Sequence, residues 1–268
     1  METLKILIPV DFSPTFQYAA AMAELIRNSR PVELYLLHVV PATGNAEDLE
    51  DAGKAVYKQI EAAHKWFAAL PAKFNFKSFV KVGPVTETIN QFTIEIGADL
   101  VIMGTKGADG LLEFISGSEA QHVARNSSMP VLTVQGSYLP ARFQHILLVS
   151  DFEEAMPVLP LALIKALVAP GGTIHLLHIL KPHEFSQAES IIEKMQVFAK
   201  QNQLENMELH LHQEHKVDQG VYQFNKDHQM DLVCLGTHAR KGLNHLLHGS
   251  IAERLINHCS KPVLTYHL

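Results

Sequence analysis

Asp99-Leu100-Val101-Ile102-Met103-Gly104-Thr105 and Asp231-Leu232-Val233-Cys234-Leu235-Gly236-Thr237 are one segment written twice in the same chain. Each opens a gapless alignment, Asp99–Val134 on Asp231–Tyr266, in which 15 residues are identical. Earlier in the chain, Ile6-Leu7-Ile8-Pro9-Val10-Asp11-Phe12 returns as Ile146-Leu147-Leu148-Val149-Ser150-Asp151-Phe152, and Leu36-Leu37-His38 as Leu176-Leu177-His178. A repeat of this length means two domains of one fold, and 268 residues suffice for both. The second copy is the shorter, and the missing residues fall opposite Pro41–Gly53, a polar stretch that reads as a loop. Strands are expected at Ile6–Val10, Glu33–Val40, Phe74–Lys81, Leu100–Met103 and Val131–Val134, because these are apolar or β-rich runs bounded by turns. Helices with apolar residues at three-to-four spacing are expected at Thr15–Asn28, Glu47–Leu70, Val85–Ile96 and about Gly117–Asn126. The second copy repeats the strands at Ile146–Ser150, Thr173–Ile179, Met207–Gln213, Leu232–Leu235 and Val263–Tyr266. Strict alternation of strands and helices predicts an α/β chain of two tandem, doubly wound, parallel five-stranded sheets. The domains are read as residues 1–137 and 141–268, joined through Gln135–Phe143 with its Gly136, Ser137 and Pro140.

The chemistry is expected after the fourth strand of the first copy. Gly104 and Gly107 enclose Thr105 and Lys106, and after nine intervening residues comes Gly117-Ser118, where a helix should begin. Ligands of open α/β sheets bind outside the carboxyl ends of the strands. Glycine there admits backbone N–H groups to phosphate oxygens, and a helix N-terminus favours anions. Isolated glycines in such loops are ordinarily turn residues. Three glycines and a serine at set spacing, beside Asp11 at the end of strand one, favour a nucleotide. Neither the Walker A pattern G-x-x-x-x-G-K-[ST] nor a G-x-G-x-x-G after the first strand occurs.

These residues resemble the universal stress proteins of the UspA type, in tandem form. That family's signature is G-x2-G-x9-G-[S/T], with an aspartate after strand one and Leu-His-Val closing strand two. Gly104, Gly107, Gly117 and Ser118 match the first element, and Asp11 and Leu37-His38-Val39 the others. The resemblance implies a Rossmann-like sheet of the adenine nucleotide alpha hydrolase kind, binding ATP, or AMP or ADP, with Mg²⁺ as an optional companion. It puts Pro9, Val10, Asp11, Val39, Met103 and Gly104 around adenine and ribose, with Lys106, Gly107, Gly117 and Ser118 at the phosphates. In the second copy Ser150, Asp151, Ile179, Gly236, Gly249 and Ser250 keep the pattern, but Ala239 replaces the middle glycine. A Cβ there crowds phosphates, so a second, weaker site is the reading for that half. Each copy's last strand would leave a sheet edge open, and open edges invite pairing. Tandem members pair these strands antiparallel, so an intramolecular pseudo-dimer is expected, and a homodimer of tandem chains stays open.

Histidine is unevenly spread: three of the 16 precede residue 141 and 13 (16 − 3) follow it. His210 and His212 share one face of a strand, with His215 close behind, and are the zinc candidates, although an exposed polar strand face explains them more simply. His238, His245 and His248 gather in the loop between Gly236 and Gly249. His38 and His178 read as hydrogen-bonded core histidines rather than bases. No catalytic residue stands out. With a net charge of −6 and no basic run, nucleic acid is not an expected partner, nor is a membrane. The two cysteines and the absence of a leader pattern point to the cytoplasm. The function expected is adenine-nucleotide binding, chiefly in the first copy, in a stress or signalling role with protein partners unspecified. The alternatives are a nucleotide-free interaction scaffold and a weak ATPase using the first-copy cleft.

Overall fold

The computed structural model describes residues 3–41, 49–105, 116–136, 138–153, 158–237 and 251–267. The first copy runs β1 (Leu4–Pro9), α1 (Phe16–Arg27), β2 (Val32–Val40), α2 (Leu49–Ala69), β3 (Phe76–Val82), α3 (Val85–Ile96), β4 (Leu100–Thr105), α4 (Ser116–Asn126) and β5 (Val131–Gln135). The second runs β6 (His145–Val149), α5 (Val158–Leu167), β7 (Thr173–Leu180), α6 (Ala188–Gln201), β8 (Met207–Gln213), α7 (Val217–His228), β9 (Leu232–Thr237), α8 (Ile251–His258) and β10 (Val263–His267). Helix α2 falls within the expected Glu47–Leu70, and its first turn takes up the end of Pro41–Gly53, which also reads as a loop. One local difference from the sequence reading remains. Phe74 lies in a short 3₁₀ turn rather than a strand, because Asn75 takes a left-handed φ of 42° and sends the chain into β3 two residues later.

All ten strands join one sheet in the order β3-β2-β1-β4-β5-β10-β9-β6-β7-β8. Within each copy the pairing is parallel, and the copies meet through antiparallel β5 and β10, with Leu132 facing Leu264. The pseudo-two-fold pairing expected of the two last strands is therefore present. Thr133 Oγ1 donates to the Val263 carbonyl at 3.2 Å and Thr265 Oγ1 to the Val131 carbonyl at 3.3 Å, one bond from each side. The inner parallel strands are buried on both faces, which is why they read as unbroken apolar runs. One layer joins Ile6, Ile8 and Leu36 to α1 and α2 and continues to Leu148, Leu176 and the buried faces of α5 and α6. The other joins Leu7, Leu37 and Val101 to α3 and α4 and continues to Leu147, Leu177, α7 and α8.

The repeated aspartate that begins each fourth-strand segment has a structural task. Asp99 Oδ2 accepts the Lys5 backbone N–H at 2.8 Å, and Asp231 Oδ2 accepts those of Gln144 and His145 at 2.7 and 2.9 Å. Asp231 Oδ1 also takes the Tyr138 hydroxyl at 2.9 Å, which fixes the inter-copy connection to the second copy. Burial, followed by that carboxylate, pushes the Tyr138 phenol up to about 12. No helix among the described residues is long and apolar enough to cross a membrane.

Leu264 is fully buried at the centre of the seam. Leu264→Ala should cost about 3 kcal/mol, read as a lower urea midpoint; a loss below about 1 kcal/mol would mean the seam is not a packed core.

Candidate functional site

Strand order makes the site before any side chain is considered. From β1 the chain crosses outward to β2 and β3, then returns to place β4 on the other side of β1. Crossovers leaving in opposite directions open a crevice at the carboxyl ends of β1 and β4, the switch point of a doubly wound sheet. α4 runs back from β4 to β5, so its first turn, Ser116-Gly117-Ser118, stands on that same edge of the sheet.

The residues at the mouth of this crevice are held by local geometry. Val10 follows β1 with its N–H bonded to the Leu37 carbonyl at 2.8 Å. Asp11 is exposed, and its Oδ1 accepts the Ser13 N–H at 2.9 Å, which turns the chain sharply. Phe12 sits in that turn at φ 62°, a left-handed conformation that costs an L-residue about 1–2 kcal/mol. Packing offsets the strain: the Phe12 ring stacks on His38 at 4.2 Å between centroids and lies 5.1 Å from Trp66. His38 Nδ1 is 2.7 Å from the Val10 carbonyl, so it has the hydrogen-bonded role expected of it. Val10, Val39 and Met103 are buried, Pro9 half-buried.

Gly104 has a cause that its sequence position does not reveal. It lies within extended β4, and a Cβ on it would come 1.9 Å from the Thr15 carbonyl oxygen at the start of α1. Its lack of a side chain lets α1 lie on β4; positive φ plays no part, as Gly104 is not among the residues that adopt it. Beside it, Thr105 Oγ1 is buried without a hydrogen-bond partner among the described residues. Thr105 escaped the sequence reading although it recurs as Thr237; Phe12, recurring as Phe152, escaped it as well. The Asp-Phe and Gly-Thr pairs, each present in both copies, were the available signals. Gly117 lies in the first turn of α4 with Ser118. Lys106 and Gly107 lie outside the described residues.

The second copy repeats the backbone but not the packing. Ser150 N–H bonds to the Leu177 carbonyl at 3.2 Å, Asp151 Oδ1 accepts the Glu153 N–H at 3.2 Å, and Phe152 is again left-handed at φ 57°. Phe152, however, meets Phe198 edge-on at 5.3 Å. His178 departs from its expected role: both ring nitrogens are buried without a hydrogen bond among the described residues, and Nε2 lies 3.7 Å from Glu184 Oε2. Ile179 is buried on β7 and Gly236 lies in β9, while Ala239, Gly249 and Ser250, with His238, His245 and His248, lie outside the described residues.

The zinc candidates separate. His210 Nε2 lies 3.0 Å from His175 Nδ1 and 3.6 Å from Glu208 Oε2. His212, on the same face of β8, is edge-on to Phe224 at 6.1 Å, and the His215 backbone N–H bonds to Glu214. The structure thus brings His210 together with His175 and Glu208, not with His212 and His215. His175 was missed because it sits on a different strand.

Comparison with known proteins follows the same division. The model of the universal stress protein family matches residues 2–135 and again 142–267. A universal stress protein of Methanocaldococcus jannaschii is 31% identical over 144 residues, covering 49% of this chain and 81% of its own. Universal stress protein G of Escherichia coli O157:H7 is 27% identical over 142 residues, covering 48% of this chain and 97% of its own. One copy here therefore corresponds to nearly the whole of such a relative. A universal stress protein structure from Archaeoglobus fulgidus covers 98% of both chains with a TM-score of 0.73 at 16% identity, which places the whole two-copy fold.

Gly104→Ala should destabilise the protein by about 1–3 kcal/mol in thermal or urea unfolding, because the added carbon meets backbone. Gly53→Ala, in α2 with nothing within 4 Å of the new carbon, should be neutral or stabilising by up to about 1 kcal/mol. Equal costs at the two positions would contradict the close approach.

Proposed function

The chain belongs to the universal stress protein family, with two family domains in tandem, and from that premise we propose that it binds an adenine nucleotide, ATP in the first instance, at the carboxyl ends of β1 and β4. The observation that supports this most is the coincidence of three features at one place in the first copy. They are the switch-point crevice, the exposed Asp11 carboxylate, and the first turn of α4 carrying Gly117 and Ser118.

In this reading Pro9, Val10, Val39, Met103 and Gly104 wall the base and ribose, and Asp11 takes ribose hydroxyls or a phosphate-bound Mg²⁺. The free N–H groups at the start of α4 face the phosphates, where a helix end stabilises negative charge. Gly107 and Ser118 complete the cradle, and Lys106 adds a point charge. The Thr105 hydroxyl, with hydrogen-bonding capacity to spare, is added to the set. The second copy, with Ala239 and without the Phe12–His38 stack, is a weaker site or an empty one.

Among the described residues this site presents no oriented general base, and in this reading occupancy rather than turnover is the output, with a stress or signalling role carried by partners that respond to it. The intracellular setting expected from the two buried thiols belongs to this proposal too.

Calorimetric titration of the full chain with ATP and Mg²⁺ tests it. One equivalent per chain is expected for wild type. Gly107→Ala and Gly117→Asp should each weaken binding about tenfold or more, about 1.4 kcal/mol, the second by setting a carboxylate against phosphate. Wild type that takes up no adenine nucleotide at millimolar concentration would overturn the proposal.

A further inference from the structure

We propose that the second copy holds a divalent transition-metal site of the zinc class, with His175 Nδ1, His210 Nε2 and a Glu208 carboxylate oxygen as its three protein ligands. It lies near the amino ends of β7 and β8, at the far end of the strands from the nucleotide cleft, and shares no residue with it.

The three ligand atoms form a compact triangle. His175 Nδ1 is 3.0 Å from His210 Nε2 and 3.5 Å from Glu208 Oε2, and His210 Nε2 is 3.6 Å from Glu208 Oε2. A tetrahedral ion with bonds of about 2.0–2.2 Å to nitrogen and oxygen spaces its ligand atoms about 3.3–3.6 Å apart. The triangle is thus one face of that tetrahedron, with little movement needed to close it. The fourth position is left for water, since the Glu208 side chain is 60% exposed while His175 is only 5% exposed. Two imidazoles and one carboxylate suit zinc and its neighbours rather than calcium or magnesium.

The surroundings complete the site. His145 Nδ1 lies 3.1 Å from His175 Nε2, so with Nδ1 on the metal His175 donates its remaining N–H to His145. A hydrogen bond of this kind fixes the tautomer and orientation of a ligating ring. On the other side His210 packs edge-on to Phe224, against which His228 stacks at 4.0 Å, with its Nδ1 3.0 Å from the Phe224 carbonyl. Burial, together with the neighbouring histidines and against the pull of Glu208, pushes His175 down to about 4, and burial also lowers His210. Both rings are then neutral near neutral pH, the form that ligates.

The first copy supplies an internal control. Register places Tyr35 opposite Lys77, as His175 is opposite Glu208, and Leu37 opposite Phe79, as Leu177 is opposite His210. Phe92 in α3 corresponds to Phe224 in α7. At this place the first copy has an aromatic cluster: Tyr35 stacks on Phe79 at 6.1 Å, and Phe79 meets Phe92 at 4.9 Å. Lys5 and Ile96 stand where the second copy has His145 and His228. The fold therefore asks only for aromatic packing here. Five positions differ between the copies, four histidines and a glutamate standing in the second, and the first copy builds the same sheet without them.

The same comparison supplies variants that keep the fold. His210→Phe and Glu208→Lys install residues that the first copy already packs at these positions. The EDTA-treated full chain, dialysed against micromolar zinc chloride, should retain one zinc more than either variant, and its affinity for that equivalent should exceed theirs about tenfold or more. Titration with cobalt chloride should give the intense visible bands of a tetrahedral site in wild type and in His212→Ala, and not in His210→Phe. Wild type that binds no zinc overturns the proposal. So do His210→Phe and Glu208→Lys proteins, folded by circular dichroism, that match wild type in stoichiometry and affinity, because the metal would then lie elsewhere.

Discussion

The antiparallel contact between β5 and β10 is the constraint on which the rest of the molecule depends. Each copy alone would end its sheet on an open, apolar edge strand. Val131, Leu132 and Thr133 are almost fully buried, and Val263, Leu264 and Thr265 pair with them along the edge each copy would otherwise leave open. The seam also fixes which way each copy faces. A two-fold relation across it keeps α1, α2, α5 and α6 on one side and α3, α4, α7 and α8 on the other, so both apolar layers run unbroken through ten strands. The strands left at the outer edges, β3 and β8, are the polar ones. On β3, Lys77 and Lys81 face water and pair with Glu33 and Glu95.

With the frame shared, the copies were free to differ at their two ends. At the carboxyl end the first copy packs Phe12 against His38 and Trp66 beside the crevice where we place the nucleotide, whereas in the second Phe152 meets Phe198 and has no stack on His178 among the described residues. At the amino end the difference runs the other way. The first copy packs Tyr35, Phe79 and Phe92, and the second sets His175, His210 and Glu208 in their neighbourhood. In the proposals made above, each copy uses a different end of its strands.

Nearly all of the fold was legible in the sequence because local periodicity and a long repeat carry it. Strand alternation needs no knowledge of distant contacts, and the repeat says that whatever one half does the other does too. What escaped depends on contacts across the fold. Gly104 reads as a phosphate-loop glycine, yet its immediate cause is the Thr15 carbonyl, 89 residues away in sequence (104 − 15). His210, His212 and His215 were grouped because they are close along the chain, whereas the partner that meets His210 comes from β7 through a register no sequence pattern displays. His178 shows the converse limit: the repeat predicts the bond that His38 makes, but the neighbourhood around it had changed.

The central claim is that the two copies share a frame and divide the ligand work. A crystal structure of the full chain grown with ATP and Mg²⁺ tests it most directly. The account predicts nucleotide density over the carboxyl ends of β1 and β4, with its phosphates at the first turn of α4, and no comparable density over β6 and β9. Nucleotide bound only in the second copy, or equally in both, would contradict it.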